Sequence, residues 1–445
     1  MNTQDDIKIS NVHLINIIVQ KKFLLAFIII SLSLRFGLAL ALKDSFFERG
    51  NRSSSISPIA ENIIQHHEFA RNPGDPTASE EPLYTFFIAL CYFLFGKNWF
   101  GVLFLQSLLC LLNGFIIYKI ALSIFKNETT ARLSFIFVIL YPFYITQSIN
   151  ISDTVFFTLF LALSTYLTLL SIKKNHGVTW ILTGLSWGFT LQVRFSAIAL
   201  FPFALLYVLM NRDQLKSRLK KATLILVMSI LTLIPWVYRN YSLTGKIFLT
   251  SHSDITAWLG YNKDTGHVLA NDISVDVMKR NLDEKIPELK ELKKKEFPNS
   301  ISLEAAKGSL FYSLAFKYVR ENPWESIKLM PLKLWKFWSP FKNPRTNSLK
   351  KNRSTLSKWW DITYTFYYLP IFLLAVMGIF FSKKKWKDYS LILLLFLGYS
   401  LLHTVVYGFS RLRVPLDQFL IIFACYAIYY FYKNKLPYDK GLSLQ

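Results

Sequence analysis

Apolar runs long enough to cross a bilayer alternate along this chain with short polar or basic breaks. A spanning helix needs about 20 mostly apolar residues. Phe23 to Leu42, Trp99 to Phe125, Leu133 to Ile149, Thr154 to Ile172 and Leu224 to Tyr238 fit that pattern. Val178 to Met210 is long enough to cross twice, broken at Gln192-Val193-Arg194, and Tyr367 to Phe381, Tyr389 to Phe409 and Val414 to Tyr432 follow late in the chain. Leu83 to Phe95 is too short to span and reads as re-entrant or interfacial. The pattern predicts an all-α polytopic membrane bundle of about ten transmembrane helices. Outer-face loops and a small, mostly helical extracytoplasmic segment complete it. Residues 1–22 and 433–445 are expected to be cytoplasmic ends. Residues 23–238 form the core with an outer loop at 43–81, 239–365 the extracytoplasmic segment, and 366–432 the C-terminal helices. Within that segment Ile301 to Asn322 reads as a helix stopped by Pro323, and Lys328 to Phe341, with Trp335, Phe337 and Trp338 among lysines, as a helix lying in the interface.

Composition agrees with this pattern. Of the 445 residues, 52% are apolar and only 18% are charged, too few to cover the surface of a soluble globule. The formal charge of +23 falls in short clusters between apolar runs: Lys126 to Arg132, Lys173-Lys174, Arg212 to Lys221, Lys383 to Lys387 and Lys433 to Lys435. Basic short loops of this kind mark the cytoplasmic side and meet anionic headgroups, so membrane lipids, and not nucleic acid, are the expected partners. Lys21-Lys22 before Phe23 to Leu42 resembles a signal-peptide core. The run is longer than such a core and no small-residue cleavage pattern follows, so it reads as an uncleaved span. Cys91, Cys110 and Cys425 lie in apolar stretches without metal-ligand spacing and read as core residues.

With that sidedness, the polar residues worth chemical attention gather on the outer face. The loop Lys43 to Glu81 carries Asp44, Glu48, Glu61, Glu68, Asp75, Glu80 and Glu81. Arg194 lies in an apolar region where an ionisable residue is either a ligand or a snorkelling or ion-paired structural charge, and Arg35 is a similar case. Arg411 and Arg413 before Pro415 offer two guanidiniums that suit phosphate oxygens, or else anchor a helix end to headgroups. Arg239, in Trp236-Val237-Tyr238-Arg239-Asn240, allows the same two readings. Asp153 opens a helix, where a carboxylate suits the helix dipole, and Glu80 and Glu81 before Pro82 also fit a helix start. His66-His67 and His252 lack ligand spacing and read as solvated loop residues.

An ordered set of stretches resembles the GT-C glycosyltransferases, in particular the bacterial branch similar to protein O-mannosyltransferases and lipid A aminoarabinose transferases. They are Glu81-Pro82-Leu83-Tyr84 with Leu94-Phe95-Gly96, the Gly184 to Arg194 helix, and Ile234-Pro235-Trp236-Val237-Tyr238-Arg239-Asn240-Tyr241. Trp258-Leu259-Gly260-Tyr261-Asn262 with Gly266 follows, then Asn322-Pro323-Trp324 leading to Lys333 and Trp338, and last Arg411-Leu412-Arg413-Val414-Pro415-Leu416-Asp417. The resemblance implies transfer of a monosaccharide, with inversion, from a polyprenyl (undecaprenyl) phosphate sugar to a glycan, lipid or protein acceptor at the outer face of a bacterial inner membrane. Matching motifs make Arg194, Arg239, Arg411 and Arg413 donor-phosphate residues, Glu80, Glu81 and Tyr84 substrate-binding residues, and Asp153 a further catalytic candidate. Arginines can hold a monophosphate leaving group, so no metal or cofactor is expected. Where the family places its first-loop aspartate, this chain reads Asn51 to Ala60 without a carboxylate, and Ile56 stands where an aromatic is common. That departure shifts the catalytic base to Glu48, with Asp44 second, or else points to a catalytically silent partner subunit. A lipid-linked glycan carrier or flippase is the non-enzymatic alternative, but it would place polar groups at the bundle midplane.

Overall fold

A computed structural model describes residues 21–41, 53–251, 254–271, 278–279, 281–340 and 355–435. Asp44, Glu48 and His252 lie outside the described residues. The chain opens with α1 (Lys21–Ala41) and α2 (Ser53–His66), followed by a short antiparallel ribbon of β1 (Ala70–Asn72) and β2 (Asp75–Pro76). Then come α3 (Pro82–Phe95), α4 (Trp99–Phe125), α5 (Glu128–Ile139), α6 (Pro142–Ser148), α7 (Asp153–Lys174), α8 (Gly177–Val193), α9 (Phe201–Leu209) and α10 (Leu215–Thr244). The polar segment folds as α11 (Asp254–Gly260), α12 (Thr265–Ala270), α13 (Leu282–Lys285), α14 (Pro287–Lys294), α15 (Ser300–Glu321) and α16 (Pro323–Trp338). The described part ends with α17 (Thr355–Phe381), α18 (Trp386–Val405) and α19 (Ser410–Lys435).

The protein is an all-α, multi-pass membrane protein. Leu25, Ile29, Leu34 and Leu40 on α1, and Leu226, Ile230, Leu231 and Ile234 on α10, point outward and exposed, which suits lipid and not water. Among the described residues, six helices are long and apolar enough to cross a membrane, or seven if α5 and α6, bent by 46°, form one span. On length and composition the expected count of about ten is therefore not reached. The shortfall has a local cause: α8 has 17 residues, and Phe195–Leu209 and Thr365–Phe381 are shorter apolar helices. The predicted interruption at Gln192 to Arg194 is present, since Arg194 is extended (φ −154°, ψ 116°) and a single-turn 3-10 helix, Phe195–Ala199, separates α8 from α9.

Two features position the polar end of the bundle. Pro142 has no N–H and breaks the helix between α5 and α6, which leaves carbonyls to be satisfied from outside. Ser31 Oγ and Arg35 Nη1 donate to the Ile139 carbonyl at 2.8 and 3.0 Å, and Arg35 Nε donates to Ser148 Oγ at 3.1 Å. Arg35 thus has a structural task at this break. On the other side of the bundle, a Cβ at Gly184 would lie 2.8 Å from the Ile225 carbonyl, and one at Gly188 2.7 Å from the Ser229 carbonyl. The two glycines let α8 and α10 approach closely, and Ser229 Oγ donates to the Gly184 carbonyl at 2.8 Å across that contact. The predicted helix over 301–322 appears as α15, and Pro323 serves both as its stop and as the first residue of α16. Trp258, Leu259, Leu269, Leu289, Phe311 and Tyr407 form a small separate core under this segment.

Candidate functional site

The site is built from the end of the first long loop, the start of α7 and the extended break after α8. Glu81 is in extended conformation with Pro82 at the first helical position, so α3 starts where the sequence pattern placed it. Glu80 and Glu81 are both buried, and Glu80 accepts a hydrogen bond from Ser55 Oγ at 2.7 Å. One turn on, Tyr84 donates to Gln106 Oε1 at 2.9 Å, and Gln106 Nε2 donates to the carbonyls of Ser148 and Asn150. These bonds tie the foot of the loop to the stretch that leads into α7. Phe87 packs on Phe156 with ring centroids 4.7 Å apart, which keeps α3 beside the first turns of α7.

Ser152 caps α7, so Asp153 is free of that duty and turns its carboxylate to Arg194. Arg194 Nε donates to Asp153 Oδ2 at 2.8 Å, Nη2 donates to Thr154 Oγ1 at 3.1 Å, and the guanidinium lies 4.8 Å above the Phe157 ring. The pair is largely enclosed, with side-chain exposures of 15% for Arg194 and 4% for Asp153. A guanidinium held this way by a carboxylate, a hydroxyl and a ring has a fixed plane, the condition for orienting a phosphate.

The remaining arginines divide. Arg239 Nη1 donates to the Thr77 carbonyl at 2.9 Å and Nη2 to the Phe69 carbonyl at 2.8 Å, while the guanidinium stacks over Phe69 and Trp236. It clamps the ribbon of the first loop, a loop-holding task for a residue expected to meet phosphate. Arg413 requires a clearer correction. It is fully buried, donates from Nε to Asp417 Oδ1 at 3.0 Å and from Nη1 to the carbonyls of Phe337 and Ser339, and lies 3.5 Å from the Tyr368 ring centroid. Asp417 Oδ2 in turn accepts from Tyr141 at 2.7 Å. Arg413 is therefore an internal strut joining α19, α16 and α6, and does not line a mouth. Arg411, two residues earlier, is exposed on the first turn of α19. His66 and His67 are exposed, as expected of solvated residues, and the three cysteines are buried.

Two buried or latching residues have little sequence signal. Glu304, in the second turn of α15, accepts from Thr77 Oγ1 at 2.6 Å, from the Ala78 N–H at 2.9 Å and from Ser251 Oγ at 3.2 Å. It latches the polar segment to the residues just before Glu80, across 227 positions of sequence. Lys333 stands in a quoted motif, but nothing in its spacing reveals that its ammonium is buried, as it is here.

Residues 76–238 match the sequence pattern of the family described as dolichyl-phosphate-mannose-protein mannosyltransferase. An uncharacterized protein of Aquifex aeolicus is 31% identical over 116 residues, which are 26% of this chain and 23% of that one. The crystal structure of the Archaeoglobus fulgidus oligosaccharyltransferase in its apo form superposes with a TM-score of 0.56 at 13% identity, covering 93% of this chain and 51% of that chain. The same organism's oligosaccharyltransferase AglB, in complex with an inhibitory peptide and a dolichol-phosphate, gives 0.54 at 13% identity, over 95% of this chain and 53% of that one. The chain thus spans about a quarter of the curated relative (23%) and about half of the archaeal enzymes (51% and 53%). It has the GT-C fold of the archaeal oligosaccharyltransferase, and across residues 76–238 it is similar to the dolichyl-phosphate-mannose-protein mannosyltransferases.

Proposed function

We propose that this protein is a membrane glycosyltransferase. It moves a monosaccharide, with inversion, from a polyprenyl (undecaprenyl) phosphate donor to a glycan, lipid or protein acceptor at the outer face of a bacterial inner membrane. The observation that carries this reading is the Asp153 and Arg194 pair at the break between α8 and α9, with buried Glu80 and Glu81 at the foot of the neighbouring loop. Acids and a positioned guanidinium at one end of an apolar bundle are what transfer from a lipid phosphate needs. A carboxylate takes the proton of the acceptor hydroxyl, the acceptor oxygen bonds to the sugar carbon as its bond to phosphate oxygen breaks, and the departing phosphate keeps its charge against Arg194 and Arg411. In this reading Asp153 holds Arg194 in plane, and Glu80, Glu81 and Tyr84 shape the acceptor side. Glu48, with Asp44 second, supplies the base.

The test is a transfer assay on the purified protein in lipid nanodiscs with a panel of radiolabelled polyprenyl-phosphate sugars and a membrane extract as acceptor. We expect label to move with at least one donor, Glu48→Gln to cut the rate by roughly 10²- to 10⁴-fold, and Asp153→Asn to raise KM for the donor. Full activity of Glu48→Gln, Asp44→Asn and Asp153→Asn alike would remove the acids named here, and no transfer with any donor would remove the enzyme reading.

A further inference from the structure

Lys333 on α16 is buried to the last atom, yet among the described residues no carboxylate lies within ion-pairing distance of it. Its Nζ donates to the Val405 carbonyl at 3.2 Å and lies 3.5 Å from the Tyr261 ring centroid. Around it the backbone is packed to contact: a Cβ at Gly260 would collide with the Val406 carbonyl, and one at Gly408 with the Lys333 carbonyl. Both glycines keep the 405–408 turn pressed against the lysine. An ammonium has three N–H donors and carries a full charge; one carbonyl and one ring face satisfy part of that. A buried cation without an anion costs several kcal/mol, a cost that an incoming anion would offset. Arg35, another buried cation, instead spends its donors on Ile139 and Ser148.

The lysine is also close to the site already described. Val405 and His403 belong to the C-terminal end of α18, His403 Nδ1 bonds to the Tyr407 carbonyl at 2.9 Å, and the His403 ring meets Tyr399 at 4.5 Å, which in turn meets Phe157, the ring beneath Arg194. Phe337, one turn beyond Lys333, stacks on His403 at 4.9 Å. A run of side chains therefore joins the surroundings of Lys333 to Arg194.

We propose that Lys333 is a phosphate-binding residue, which meets the phosphate of a prenyl-phosphate ligand when the 405–408 turn lifts. This rests on the glycosyltransferase reading and adds to it the residue that completes the anion site. Burial lowers the Lys333 ammonium to about 7, so the group is charged below neutrality and loses its proton as pH rises past that point. Titratable groups on the elements packed against it include Tyr261 from the loop after α11, His403 and Tyr399 from α18, Tyr407 from the turn, and Arg413 with its partner Asp417 from α19, which bonds to α16 one turn further on. Of these, Tyr261 is raised above the usual phenol range by burial.

The experiment measures binding, not turnover, on the full-length protein in nanodiscs, using farnesyl phosphate, farnesol and inorganic phosphate as probes. We expect wild type to bind farnesyl phosphate, K333M to bind it roughly 10- to 100-fold more weakly, as the loss of a charge-assisted contact predicts, and both to bind farnesol alike. Inorganic phosphate that competes in wild type but not in K333M would assign the site to the phosphate group itself; competition by phosphatidic acid vesicles in its place would assign it to a general lipid headgroup and overturn the prenyl-phosphate assignment. Wild-type affinity should fall as pH rises from 6 to 8, with K333R holding its affinity, a contrast that stands even if K333M does not fold. Equal binding by K333M, or the same pH profile in K333R, would overturn the role of Lys333 while leaving the transferase reading intact. A wild type that binds no prenyl phosphate would sink both.

Discussion

At the scale of single residues, similar side chains end in different roles according to what surrounds them. The sequence offers Arg194, Arg239, Arg411 and Arg413 as equivalent guanidiniums. Folding gives Arg194 a carboxylate and a ring, Arg239 two loop carbonyls, and Arg413 a carboxylate inside the bundle. For Arg413 the local clue is present, because Asp417 stands four residues on, the spacing of a helical ion pair. Removing one partner of a fully buried pair leaves the other charged and unsolvated. Arg413→Met is therefore expected to destabilise the protein by about 3–5 kcal/mol, and Arg413→Met with Asp417→Leu to recover most of that loss. Denaturant unfolding in a fixed detergent measures both, and a double variant no more stable than the single would show that the pair is not what stabilises this end.

At the scale of elements, the helices follow from apolar periodicity, but their contacts follow from small residues. Gly184 and Gly188 occupy one face of α8, and each meets a carbonyl of α10 at a distance no Cβ tolerates. That contact sets where Arg194, at the end of α8, stands relative to Arg239 near the end of α10. Gly188→Leu must push the helices apart, so we expect loss of several kcal/mol of stability through overpacking together with loss of donor binding. Gly188→Ala should show a milder version of both. A leucine variant with unchanged melting and binding would mean that the close approach is dispensable. The Glu304 latch belongs to this scale too: it joins α15 to residues 77 and 78, and no periodicity or spacing signals it, because its partners are backbone and hydroxyl groups far away in sequence.

For the whole molecule, the governing question is sidedness. The basic loops and the acidic loop are expected on opposite faces of the membrane, and the buried native cysteines leave a quiet background for labelling. Asn72 in the ribbon and His176 between α7 and α8 are both exposed. A cysteine placed at Asn72 should react with an impermeant maleimide added to intact cells, and one at His176 only after the membrane is opened. The reverse pattern would put the Asp153 and Arg194 pair on the cytoplasmic side and end the outer-face assignment.

The multi-pass helical pattern, though not the number of spans, was legible in the chain, as were the break at Arg194, the helical polar segment and the helix start at Pro82, because each depends on nearby residues: apolar length, proline, and the turn from apolar to polar. Which charge meets which was not legible, since Asp153 with Arg194, Glu304 with Thr77, and Lys333 with Tyr261 are separated by tens to hundreds of residues and only packing brings them together. An arginine is the same letter whether it faces a phosphate or closes a buried strut. Its surroundings decide, and those are set by how closely the helices can approach.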